Sequence, residues 1–164
     1  MIPHLLLSLS LSITPLPTTW TYEQGSDEFT EEQSAIAIGQ TSDNDFLSIR
    51  CQDKKYLRIT VTNHNHNEAF KPKAYAKIDQ NQAIELTGKV WPVGLSINQQ
   101  YADIKAWGSV EEWLQVIEQM QQGKIVKFRL FDDQWLAQEM TFDLTGSQMA
   151  IKDVLAECHD SKLY

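Results

Sequence analysis

Apolar and polar residues alternate with a period of two through most of the chain from Trp20 to Leu144, and the period lengthens to that of a helix in two places. The alternation is clearest in LSIRCQDKKYLRITV, residues 47–61. There Leu47, Ile49 and Cys51 share one side of a strand, and Leu57, Ile59 and Val61 share one side of the next. The stretch predicts a hairpin of Phe46–Gln52 and Tyr56–Thr62 with one apolar face. Strands are also expected at Trp20–Gln24 and Ser34–Gln40, flanking the polar turn GSDEFTEE, and at Ala74–Asp79 and Ala83–Val93 across DQNQ. A further strand is expected around Tyr101–Trp107, and a last hairpin at Lys124–Phe131 and Trp135–Leu144 around DDQ.

The helical period appears first in SVEEWLQVIEQMQQG. Ser109 and Glu112 have the capping-box spacing, the apolar stripe runs Val110, Trp113, Leu114, Ile117 and Met120, and Gly123 is a natural stop. In TGSQMAIKDVLAEC, Thr145 or Ser147 can cap a second helix. Ile151, Val154, Leu155 and Cys158 then fall on one stripe. These elements predict an α+β fold: a mainly antiparallel, sandwich-like sheet assembly with two packed helices. No repeat or low-complexity linker divides the chain, so residues 19–164 are expected to form a single domain.

Residues 1–18 change the picture of location. The segment MIPHLLLSLSLSITPLPT has no Asp, Glu, Lys or Arg, and its apolar run has the length of a signal-peptide core, too short to span a bilayer. Its n-region carries no Lys or Arg, and no A-x-A site precedes Trp20. The expected reading is a signal peptide and a periplasmic or secreted mature chain without stable membrane insertion; a buried strand or tail is the alternative. The 164-residue chain carries a net charge of −8, which disfavours nucleic acid as a partner. Its two cysteines both face inward by phase. With an even count and an export-like start, a Cys51–Cys158 disulfide is expected, against the alternative of two separate buried thiols.

Candidate chemistry is sparse. In NHNHNEAF, residues 63–70, His64, His66 and Glu68 project to one side of an extended segment and are weak candidates for a metal; a solvated polar hairpin end is the expected reading, because no further ligand pair completes the site. No cofactor is expected. The acidic pairs Glu31–Glu32, Glu111–Glu112 and Asp132–Asp133 sit where solvent is expected, and Ser147 lacks a nucleophile motif. Arg50, Arg58, Lys127 and Arg129 occupy the outward phase of their strands. With Trp91 and Trp135 they form the candidate binding face.

The order of features is also familiar. The chain opens with WTYEQGSDEF, followed by a strand ending in R-C, then AKIDQNQAIELTGKVW, a helix, GKIVKFRL and a closing FDLTGSQMAIKDVLAEC. Together these resemble the VasI/TagO family of type VI secretion-associated periplasmic proteins and similar small exported and prophage proteins. AYAKID departs from the pattern in lacking an arginine just before I-D, and NHNHNE is an addition. The resemblance implies an exported, largely β domain whose two cysteines can pair. It also implies a non-enzymatic accessory protein that binds another protein of the cell envelope or secretion apparatus. The alternative is an inhibitor or immunity-type protein that blocks an envelope enzyme or toxin. Oligomeric state is not readable.

Overall fold

A computed structural model describes residues 19–54, 56–62, 70–87, 89–91, 94–99, 110–132 and 134–158. Ten strands and two helices follow one another among them. The first four strands are β1 (Thr19–Ser26), β2 (Gln33–Gln40), β3 (Phe46–Gln52) and β4 (Tyr56–Thr62). Next come β5 (Phe70–Ile78), β6 (Ile84–Thr87), β7 (Lys89–Trp91) and β8 (Gly94–Gln99). The chain continues with α1 (Val110–Gln122), β9 (Ile125–Asp132), β10 (Ala137–Asp143) and α2 (Ser147–Glu157). The strands form a six-stranded sheet A in the order β1-β2-β3-β4-β8-β7 and a four-stranded sheet B in the order β10-β9-β5-β6. All pairings are antiparallel. The expected α+β, sheet-dominated architecture is the one observed.

Phase decides what each sheet buries. Ala35, Ala37, Leu47, Ile49, Cys51, Leu57, Ile59 and Val61 line the inner face of sheet A and are all but sealed from solvent. The inner face of sheet B is formed by Ala74, Ala76, Ile78, Leu86, Val126, Phe128, Leu130, Met140 and Phe142. Helix α2 lies against β1, β2 and β3, whereas α1 lies against β5 and β6, and the helices touch each other. One continuous core results, with the Phe128 and Phe142 rings edge-to-face and their centroids 6.3 Å apart. Full burial of each such ring or branched side chain contributes roughly 1.5–3 kcal/mol.

Helix stripes behave nearly as their spacing predicts. In α1 Val116, Ile117 and Met120 are buried and Leu114 is half-buried. Ser109 lies outside the described residues, as do the side chains of Val110 and Trp113. In α2 Ala150, Ile151 and Val154 are buried, and Leu155 packs partly against the core. The start of α2 differs from expectation. Gly146, at φ 83°, holds the N-cap position with no side-chain cap, and Ser147 is the first helical residue. Ser147 turns inward instead, and its Oγ is buried without a hydrogen-bond partner among the described groups. The Asp143 carboxylate accepts the Thr145 N–H at 2.7 Å, holding the turn that leads into the helix.

The stretch Ala83–Val93, expected as one strand, is divided between the sheets. Its first part pairs with β5 as β6, and its second pairs with β8 as β7. Strand β8 itself was not foreseen, and the strand expected around Tyr101–Trp107 lies outside the described residues. Strand β5 begins earlier than its clear alternation, across a register shift between Phe70 and Ala74. Pro72, within that shift, has no N–H to continue the ladder.

Asp79, at the end of the AKID segment, joins two strands. It sits at φ 49°, its N–H donates to the Ile125 carbonyl at 3.0 Å, and its carboxylate accepts the N–H groups of Lys124 and Ile125. It thereby fastens the end of β5 to the start of β9, directly after α1. Asp79→Ala is expected to cost about 1–2 kcal/mol, from lost hydrogen bonds to a charged group and from a methyl-bearing residue in the left-handed region. Asp79→Asn, which tolerates that region and keeps an acceptor, is expected to recover at least half of the loss in urea denaturation. Equal losses in the two variants would show that the carboxylate geometry is not what matters.

Candidate functional site

Of the expected site residues, only the cysteines meet across the fold. Cys51 leaves the inner face of β3 and Cys158 caps the C-terminus of α2, its N–H donating to the carbonyls of Val154 and Leu155. They form a disulfide across a Cα–Cα distance of 5.7 Å and a sequence separation of 107, with both residues 2% exposed. The bond is therefore a buried staple between the last helix and the middle of sheet A. A hollow of about 10 Å³ beside it, lined by Gln24, Gln33, Ser34, Lys54 and Glu157, has room for about one water and none for a ligand.

The six residues of the candidate binding face occupy two sheets. Arg50 and Arg58 stand directly opposite each other on the outer face of sheet A. Like charges at a cross-strand pair repel, and neither arginine forms an ion pair with a carboxylate among the described residues. Half-buried Ile36, Ile38 and Phe46 share that face. Trp91 belongs to β7, and its side chain lies outside the description.

Lys127 and Arg129 belong to sheet B and Trp135 to its β9–β10 turn, where the fold brings them together with residues that the sequence did not single out. Arg129 faces Glu139 on β10 and Tyr75 on β5, and Tyr75 faces Glu85 on β6. The Arg129 guanidinium donates to the Glu139 carboxylate, with Nε 2.7 Å from the oxygen. The Tyr75 hydroxyl donates to Glu85 at 3.2 Å, and Lys73 Nζ lies 3.0 Å from the same carboxylate and 5.3 Å from the Tyr75 ring centre. Lys73, followed by the Tyr75 hydroxyl, holds the Glu85 carboxyl below its usual pKa. The Lys73 ammonium is raised in turn, by Tyr75 first and then Glu85. Both groups are exposed, so solvent screens the pair and leaves it a positioning device more than a source of stability.

Phe131 sits between Tyr75 and Trp135, with both centroid separations 6.0 Å, and Trp135 and Leu136 project from the β9–β10 turn, both more than half exposed. Tyr75, Phe131, Glu85 and Glu139 were missed because only the pairing of β5 with β9 assembles them. Their shared outward phase was the one available signal. His64, His66 and Glu68, the weak metal candidates, lie outside the described residues. Among the described residues, no group of three or more His, Cys, Asp or Glu is arranged to hold a metal, and no helix is long and apolar enough to cross a membrane.

Fold and surface together define a disulfide-stapled α+β domain with an aromatic and ionic outer sheet face. Comparison of the chain with protein-family models, with curated proteins and with solved structures finds no match.

Proposed function

We propose that this protein is an exported, non-enzymatic accessory protein of the bacterial cell envelope, in a type VI secretion setting, that works by binding other envelope components. The observation that carries the reading is the buried Cys51–Cys158 bridge. Structural disulfides persist in oxidising compartments and are rare in reducing ones. The apolar, uncharged segment before Trp20 supports export, because it has the length and composition of a signal-peptide core. The outer faces of both sheets support binding, because arginine and aromatic side chains are those that dominate recognition surfaces. The resemblance of its order of motifs to the VasI/TagO family supports the secretion setting.

Intact mass of the protein recovered from a periplasmic fraction tests the reading. The expected result is a chain that begins near Trp20 and is two hydrogens lighter than its reduced form. Full-length protein in the cytoplasmic fraction with two alkylatable thiols would overturn it.

A further inference from the structure

The outer face of sheet B carries an arrangement that its core does not require. Along one cross-strand row stand Glu139, Arg129, Tyr75 and Glu85, one residue from each strand. At the spacing of neighbouring strands the row spans about 14 Å. Acceptor, donor, hydroxyl and acceptor follow one another along it.

At one end of the strands is the Phe131–Trp135 pair, and Trp135 has φ 65°. Glycine or asparagine takes that conformation easily, whereas a bulky side chain there costs on the order of 1 kcal/mol or more. A hairpin that needed only to turn would be more stable with glycine at this position. The indole is instead held out, 59% exposed. At the other end, Lys77 and Lys127 face each other across β5 and β9. Neither forms an ion pair among the described residues. Phe131 lies four residue steps along the strand from Lys127, roughly 13 Å, the span of a short oligosaccharide.

We propose that this face binds an acidic glycan. A sugar ring stacks on Trp135, hydroxyls are shared with Arg129 and Glu139, and a carboxylate on a following sugar meets Lys77 and Lys127. Sugar rings present apolar C–H faces to an aromatic ring and carry hydroxyls at their edges. Those hydroxyls both donate and accept, as a row of alternating acceptors and donors demands. An acidic peptide fits less well, because it brings no sugar ring to Trp135 and no array of hydroxyls to the row of acceptors and donors. Lys73, Lys77, Lys127 and Arg129 nevertheless place four cations on this face of a chain of net charge −8, set against Glu85, Glu139 and, in the same outward phase of β10, Asp143. The inference rests on the binding role proposed above and not on export, so its failure leaves the mass experiment unaffected.

Affinity electrophoresis of the full chain tests it, in gels containing polygalacturonate, dextran or poly-glutamate. Polygalacturonate is expected to retard the protein; dextran, which lacks carboxylates, should do so at least tenfold less, and poly-glutamate should leave its mobility unchanged. Trp135→Ala is expected to weaken the retardation at least tenfold with an unchanged circular-dichroism melt, and Lys77→Gln with Lys127→Gln roughly fivefold. Trp135→Gly serves as a second variant: it relieves the backbone strain, so it should raise the melting temperature while losing binding. Equal retardation by poly-glutamate would make the occupant an acidic protein and overturn the proposal. Retardation that survives in both Trp135 variants, or no retardation by polygalacturonate, would overturn it as well.

Discussion

Replacing both cysteines with alanine is expected to remove about 3–4 kcal/mol of stability and to lower the melting temperature by roughly 8–15 °C. Closing a loop of about a hundred residues is worth about 4.7 kcal/mol in the chain-entropy model, and residual denatured-state structure reduces that figure. The observed separation of 107 places this bridge in that range. The position of the bond makes the effect local as well as global. Helix α2 follows β10 with a single turn, and its far end is held by Cys158 alone among the sulfur atoms. Without the bridge, the C-terminal half of α2 relies on Ile151, Val154 and the partly packed Leu155 for its burial, and amide exchange should accelerate there before it does in β3 or β4. Reduction of the wild type should reproduce the loss, apart from the small cavity left by removing two buried sulfur atoms. A double variant that melts within about 2 °C of the wild type would show that the core alone anchors the helix.

The second large effect is expected at Gly39. This residue lies in β2 opposite Trp20, and a Cβ added there would stand 2.7 and 2.8 Å from two atoms of the indole. The ring lies flat over bare backbone, and in that pose its Nε1–H donates to the Asp143 carbonyl at 2.7 Å. One side chain thus links the edge strand of sheet A to the end of β10 in sheet B. Gly39→Val is expected to cost about 2–4 kcal/mol, the sum of overpacking and the displaced hydrogen bond. Trp20→Phe keeps a ring over the glycine and loses only the donor, so a smaller loss of about 1 kcal/mol is expected. The two sites should couple: Gly39→Ala should be less costly in a Trp20→Ala background than alone, because the clash is gone. Strict additivity in that double-mutant cycle, measured by urea denaturation, would mean that the ring has another place to go.

How far the fold was legible follows from where local pattern suffices. Leu47, Ile49, Leu57 and Ile59 announce the β3–β4 hairpin because a period of two over adjacent segments has one economical solution: pair the strands and bury one face. The same reasoning finds β9 and β10, and the i, i+3, i+4 spacing finds both helices. It fails at 83–99, where strand-forming residues are plentiful but the partner changes. Nothing in IELTGKVW says that its first half pairs with β5 and its second with β8, since that choice is made by surfaces distant in sequence. At the start of α2 a hydroxyl was available for capping, yet Ser147 was drawn into the core, where helix phase outweighs local hydrogen bonding.

The candidate site divides in the same way. Outward phase alone marked Arg50, Arg58, Lys127 and Arg129, and it marked them as equivalent. Register then separated them. It set Arg50 against Arg58 in sheet A, and it gave Arg129 a carboxylate on one side and a tyrosine on the other in sheet B. The sequence by itself determined which side of each strand and helix is apolar, and therefore that Cys51 and Cys158 both point inward, because side-chain direction follows from backbone period. Only the tertiary structure decided that the two sulfurs meet, that the sheets are two, and that Phe131 stands between Trp135 and Tyr75. Those facts depend on which strands pair and in what register, and that is settled by closing one shared core rather than by any segment acting alone.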